Sequence, residues 1–475
     1  MRVRLYGGLL LVLLLTAKEA AQSQDFTYIT NNGEITIAGY TGPGGTVSVP
    51  SAINQLPVTG LGPDAFLSGS QMTSLSLPST LKSIAVFEFQ YCANLTSITV
   101  DAQNTTYEDV DGVLFSKNQT VILAFPPGRG GSYSIPGTVR GLGYDAFFFC
   151  ANLSSVNIPN SVTNIADYTF FHCTSLAAVS IGNQVRSIGS LAFSGCTHLS
   201  SVVLPESVTN IKDGIADKGL GGAFSYCFSL TNAALGNGIT NIGDLTFLDC
   251  GGLVNLTIPD SVVTMGGALF NCTGLTNVNI GSGLASPLSV VGCTSLAAIN
   301  VSPANAIYSS RDGVLFNKPQ TMLLVYPPAK GGNYTVTANV TNIDVNAFVF
   351  CTSLVGVYFQ GNAPSVGLGS FTGDTNTIYY LPETTGWAST FGGRPALLWN
   401  PHAVVNDGNF GVRQNRFGFN IEGTPEIPLV IEAATNLAAR SWVALQSSTL
   451  TNGLIYFSDA QWTNYPSRLY RIRSP

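Results

Sequence analysis

The sequence predicts a mainly β chain: a solenoid of about 23-residue coils followed by a small all-β, sandwich-like module. Three observations carry this. All nine cysteines sit in one recurring motif, in its full form F-x-x-C-x-x-L. An apolar-x-apolar triplet recurs once per unit. The periodicity stops near residue 399, giving way to cysteine-free, strand-like runs.

The motif is clearest at Phe170-Phe171-His172-Cys173-Thr174-Ser175-Leu176. Each cysteine, from Cys92 with Leu95 to Cys351 with Leu354, has a leucine three residues on. Seven of the nine have a phenylalanine three residues before. Cys150, Cys173 and Cys196 lie 23 residues apart, as do Cys227 and Cys250. Units this short cannot bury their apolar residues alone, so they must stack. The triplets, such as Ile98-Thr99-Val100, Val156-Asn157-Ile158 and Leu256-Thr257-Ile258, alternate with period 2. The outer pair then faces inward and the middle residue outward. One repeat apart, triplets are expected to pair as parallel strands about 4.8 Å apart.

Arg2, Arg4, the apolar run from Leu9 to Leu15 and the small residues Ala17, Ala20, Ala21 and Ser23 predict a removed secretory signal over 1–23. The run is too short to span a bilayer. No later stretch is long and apolar enough, so no membrane span is expected once the signal is gone. Charged residues make up 10% and the net charge is -6, a poor footprint for nucleic acid. A hydrophobic content of 45% argues against disorder.

Residues 24–399 read as the solenoid. Ile35-Thr36-Ile37 and Val47-Ser48-Val49 read as its first, weaker coils, since terminal repeats are atypical. In the full unit Pro159 is followed by Val162, Ile165 and Phe170, then Cys173, Leu176 and Val179-Ser180-Ile181. Eight extra residues between Ile211 and Phe224 read as a loop. A longer repeat overlies the first. Asp111-Gly112-Val113-Leu114-Phe115 returns 201 residues later as Asp312-Gly313-Val314-Leu315-Phe316, and Pro126-Pro127 as Pro327-Pro328. Asp-Gly signals a type I′ turn, so hairpin insertions are expected near 107–135 and 308–336. Two copies depart from the pattern: Cys272 has Leu269 in the phenylalanine column, and Cys293 has Val290. Local irregularity is expected there.

This pattern resembles the BspA-like, Treponema-type leucine-rich repeat over about residues 60–399. The resemblance implies a curved solenoid, on the surface of or secreted from bacteria and some protists. It implies a role in adhesion and in binding proteins or other ligands. Residues 400–475 read as a separate all-β module, with runs such as Phe417-Gly418-Phe419-Asn420-Ile421 and Leu429-Val430-Ile431-Glu432-Ala433. They resemble the C-terminal β modules that end many exported bacterial proteins, which implies sorting or attachment.

Chemistry-bearing motifs are few. The regular cysteine column reads as free, structural thiols, with bridging between adjacent coils as the alternative. No C-x-x-C occurs, so neither a redox motif nor a zinc knuckle is supported. The three histidines, His172, His198 and His402, fall in different positions of the pattern. Asp109-Val110-Asp111-Gly112 lacks the further ligands of a calcium loop and reads as a turn. The outward triplet positions Thr99, Asn157, Ser180, Val203, Ala234, Thr257, Asn279, Asn300 and Tyr358 form a small, mostly polar, uncharged strip. Solenoids recognise ligands on such a concave sheet; a solvated face is the plain alternative. Only Tyr358 has the character of an anchor residue.

The expectation is a secreted or cell-surface monomer that binds an unidentified protein or glycan without cofactor, metal or catalysis. The alternative is a structural component of the cell envelope. An enzyme would need a polar cleft, for which the 211–224 insertion with Asp213 and Asp217 is the candidate.

Overall fold

The computed structural model describes residues 24–214, 221–437 and 441–475; the expected signal over 1–23 and Asp217 lie outside them. The chain divides into two compact units, Met1–Ile307 and Tyr308–Pro475. Residues on both sides of the boundary expected at 399/400 fall within the second unit.

The first unit opens with a hairpin. Phe26–Asn31 runs antiparallel to Glu34–Tyr40 around Asn32 and Gly33, both at positive φ. Glu34–Tyr40 then pairs in parallel with Leu56–Leu61, so stacking begins there and the hairpin covers the end of the stack. Each regular coil gives a strand to two parallel sheets. On one side the triplets pair one repeat apart: Val156 opposite Val179, Leu256 opposite Val278, Val278 opposite Ile299. On the other, two-residue strands pair from Asn164–Ile165 through Ser187–Ile188 and Asn210–Ile211 to Thr264–Met265.

Between the sheets the motif residues form columns. Phe147, Phe170, Phe193, Phe224 and Phe247 are fully buried and stack ring on ring at 4.7 to 5.8 Å. The backbone keeps the same step: Phe170 N donates to Ala192 O at 2.7 Å and Phe193 N to Ala223 O at 2.7 Å. The expected irregularity near Cys272 and Cys293 is seen on one side only: the sheet of two-residue strands ends at Thr264–Met265 and residues 281–290 add no strand to it, while the column and the triplet sheet continue. Leu269 fills the phenylalanine position at 0% exposure, Phe270 turns outward, and Asn277–Ile280 still pairs in register with Ala298–Val301.

The cysteines do more than fill space. All nine are free and buried. Each directs its Sγ at the carbonyl of the column residue one coil earlier: Cys173 to Phe147 O at 3.0 Å, Cys196 to Phe170 O at 3.3 Å, Cys250 to Phe224 O at 3.0 Å. Cys293 reaches Leu269 O at 3.1 Å, so the bond survives where the phenylalanine is lost. Cys92, at 4.0 Å from Phe66 O, makes the weakest contact. There the backbone ladder is also interrupted: Phe66 N donates to Oε1 of the buried Glu88 at 2.9 Å, where other coils offer a carbonyl.

The block over 107–135 is only partly a hairpin. Tyr107–Val110 and Val113–Ser116 pair across Asp111 and Gly112, whose φ of 50° and 76° are those of a type I′ turn. The rest of the block is a coil of the stack. Val121–Ala124 pairs in parallel with Gly141–Leu142, and Gly131–Ser134 with Leu153–Asn157. Phe125 takes the phenylalanine position, 5.1 Å from Phe147, and its N–H bonds Ala146 O at 2.6 Å. The turn that elsewhere carries the cysteine is cut short at Pro126-Pro127-Gly128.

The second unit repeats this device. Tyr308–Arg311 and Val314–Asn317 form the hairpin, and Tyr326 enters the column 5.2 Å from Phe348. Phe371 continues the column at 4.7 Å. The triplet sheet runs Gly332–Val336, Leu354–Phe359, Thr377–Tyr380, Arg394–Leu398. Residues 402–473 add two antiparallel sheets. One holds His402–Val404, Arg416–Glu422, Gly411–Arg413 and Leu454–Asp459; the other holds Val443–Thr449, Pro428–Ala434 and Leu469–Arg473. Phe419, Ile421, Leu429, Ile431 and Phe457 from these sheets share one buried cluster with Tyr358 and Tyr379 of the triplet sheet. That shared core joins the sheets of 402–473 to the last coils within the unit.

Candidate ligand-binding face

Outward triplet positions lie in rows because the parallel register is exact to the residue. In the first unit Asn157 stands beside Ser180, Val203 beside Ala234, and Thr257, Asn279 and Asn300 in succession. Thr99 stands beside Ser76 on a separate sheet. All are exposed except Asn279, which is half-buried. The row is not uniformly polar: Val203, at 64% exposure, and Ala234 break it.

A second outward row lies two residues earlier on the same strands, and the triplet pattern did not reveal it. Asn232, Asn255 and Asn277 are successive partners in it. The two rows are linked. Asn300 Nδ2 donates to Asn277 Oδ1 at 2.9 Å and to Asn279 Oδ1 at 3.1 Å. Asn279 Nδ2 donates to Thr257 Oγ1 at 3.3 Å. These amides are pre-oriented by one another and carry no charge, so they suit a neutral polar ligand. Where the strands leave the sheet, Thr257–Asp260, Asn279–Gly281 and Asn300–Ser302 line an open groove. Asp260 holds the next coil through its Oδ1, which accepts from Ser282 N at 2.6 Å; that bond keeps its carboxyl below the usual range.

Tyr358 is the correction. The sequence placed it on an exposed strip, but it is 5% exposed, stacked on Tyr379 at 4.7 Å and inside the core shared with the C-terminal sheets. Strand alternation tells which way a side chain points, not what comes to lie over it.

The other candidates are occupied structurally. Asp213 Oδ1 accepts from Asp244 N at 2.9 Å, tying two coils. His172 is half-buried against the Phe149 ring, and burial lowers its pKa. His198 Nδ1 lies 2.6 Å from Thr174 O, and His402 Nδ1 3.3 Å from Asn400 O. Among the described residues, no group of three His, Cys, Asp or Glu is placed to hold a metal ion, and no helix is long and apolar enough to cross a membrane.

Residues 48–126, 131–216, 221–311 and 331–385 match the BspA type leucine rich repeat region in six copies, more than half of the chain; the chain belongs to that family. A leucine-rich repeat protein from Bacteroides ovatus is 21% identical, with a TM-score of 0.52 over 79% of this chain and 98% of that one, and shares the fold. A leucine rich cell surface protein from Faecalibacterium prausnitzii is 21% identical over 73% of this chain and 72% of its own, with a TM-score of 0.30. No curated protein matches.

Proposed function

We propose that the chain is an exported, non-catalytic binding protein that attaches to a protein or glycan at or outside the cell surface. The family supports a binding role, and the signal-like start over 1–23 supports export. The observation that carries the reading is the linked double row of uncharged amides and hydroxyls around Asn277, Asn279 and Asn300. Such a face costs less to desolvate than a charged one and offers donors and acceptors already aimed.

The test uses residues 24–475 against immobilised extracellular proteins and neutral and acidic glycans. At least one should be retained saturably. The Asn279→Lys, Asn300→Lys double variant should lower that affinity at least about tenfold while leaving the thermal midpoint unchanged. Retention by nothing in the panel, or retention indifferent to the double variant, would sink the proposal.

A further inference from the structure

On coils well before the amide face, the phenylalanine column opens. Phe66 stacks on Phe89 at 6.2 Å and Phe125 on Phe147 at 5.1 Å, but the successive rings of Phe89 and Phe125 do not meet. Both line a cavity of about 170 Å³. Phe89, Leu114 and Phe125 belong to its buried lining, while Phe87, Tyr144 and Phe148 are partly open to solvent. We propose that this cavity binds an organic ammonium group, that of a free alkylamine or of a lysine side chain, held by the carboxylates of Glu88 and Asp145 and by the rings of Phe87, Tyr144 and Phe148. The site goes beyond the amide-face reading and does not depend on it.

At the break, two backbone N–H groups that elsewhere bond a carbonyl of the next coil are met by carboxylates. Phe66 N donates to Glu88 Oε1 at 2.9 Å, where Phe170 N finds Ala192 O. Phe87 N donates to Asp145 Oδ2, where Tyr168 N finds Ser190 O. Each carboxylate thus commits one oxygen to the backbone. The other oxygen of Glu88, Oε2, is buried without a partner, in a residue only 3% exposed. A buried polar atom left unmatched is destabilising until a donor reaches it. Burial pushes the Glu88 carboxyl up to about 8 against the N–H groups of Phe66 and Ala65, the nearby Asp64 charge adding to the rise; burial raises Asp145 as well. No cation offsets them, since the lining holds no Lys, Arg or His. Lys82 is turned to Glu34 at 2.7 Å, and Arg129 lies over the Phe125 ring and donates to Asp111 O. An ammonium ion in the cavity would supply the missing charge, favour the ionised carboxyl and displace its proton.

Size and ring geometry agree with this ligand. A cavity of about 150 Å³ admits a benzene molecule, so a single group of about that size fits here. Phe87 meets Phe148 at 4.9 Å and Tyr144 at 5.6 Å, both edge-on, so the rings form the angle of a cage and not a flat stack. A desolvated cation gains from aromatic faces in such a setting. The same lining disfavours other occupants. Two carboxyls repel an anion, and a purely apolar molecule leaves Glu88 Oε2 unmatched. Among the described residues, no three His, Cys, Asp or Glu are grouped to hold a metal ion.

The experiment titrates residues 24–475 with n-butylammonium, N-acetyl-lysine amide, 1-butanol and butyrate, read by calorimetry and saturation-transfer NMR. It is run at about pH 8.5, where Glu88 ionises readily and the amine keeps its proton. Saturable binding of n-butylammonium is expected, at least about tenfold tighter than that of 1-butanol or butyrate. Comparable binding of the lysine amide assigns the site to a partner's lysine, and its exclusion assigns it to a small amine; both uphold the ammonium class. Glu88→Gln keeps an acceptor for Phe66 N and the side-chain length, and should weaken the amine at least about fivefold. Asp145→Asn keeps an acceptor for Phe87 N, should act in the same direction, and decides the matter should the first variant not fold. The Asn279→Lys, Asn300→Lys double variant should bind the amine as the parent does, so the two sites stand or fall separately. No amine binding, equal binding of 1-butanol or butyrate, or amine binding unchanged in the folded carboxamide variants would overturn the proposal.

Discussion

A column cysteine supplies both volume and a proton. Its Sγ–H is a weak donor, and the column points it at a carbonyl that already accepts one backbone N–H, as Phe147 O does from Cys150 N at 3.2 Å, so the thiol fills the second lone pair in a dry interior. Burial pushes the thiols of Cys173, Cys196, Cys227 and Cys250 well above their ordinary range, so they remain protonated donors and poor nucleophiles. The two contributions can be separated. Cys173→Ala loses both, and should cost about 2 kcal/mol from the missing bond and the small void together. Cys173→Ser keeps a hydroxyl donor toward Phe147 O and should cost less. Urea unfolding of the two variants gives the order. If serine destabilises as much as alanine or more, the thiol acts only as an apolar filler, which is how the sequence alone presented it. The acceptor is a main-chain oxygen on another coil and leaves no mark on the sequence.

At the scale of the coil, spacing was legible wherever side chains repeat. The triplets, the phenylalanine column and both Asp-Gly turns could be read because each depends on residue type at a fixed offset. The coils carrying Phe125 and Tyr326 were missed, because they occupy the column with a shortened turn and no cysteine. The coil of Phe371 was missed for a similar reason: Asp374 stands where the cysteine would be. Its side chain is nearly buried, its Oδ1 has no partner, and burial raises its pKa to about 6, the hydrogen bond with Asn376 offsetting only part of that. A carboxyl whose folded pKa lies above its unfolded value of 3.8 favours the fold most when protonated. That contribution is complete below about pH 4 and is lost as the pH rises through about 6. Asp374→Cys removes the titration and restores the column residue. The variant should therefore gain on the parent between pH 4 and 6 and hold the gain at pH 7, as urea midpoints across that range would show. A difference independent of pH, or a parent more stable at pH 7, would contradict the burial of an ionisable carboxyl at this position.

Across the whole second unit, the resemblance of residues 400–475 to attachment modules suggested a part hung on the end of the solenoid. The packing makes them something more. Tyr358 and Tyr379, 5% and 8% exposed, are covered by the same cluster that holds Phe419, Leu429 and Ile431 together. Burying an aromatic side chain of this size is worth about 1.5–3 kcal/mol, so two tyrosines and their partners bind the sheets to the coils strongly. The fragment 24–399 should therefore lose hydrogen-exchange protection along Leu354–Phe359 and Thr377–Tyr380, whose Tyr358 and Tyr379 it uncovers, bind a hydrophobic dye and self-associate. Protection around Phe170, Cys173 and Phe193 should stay at the full-length level, because those residues belong to the other compact unit. Should the fragment stay monomeric with unchanged exchange in residues 308–399, the last sheets would be a tether and the tyrosine row would need no cover.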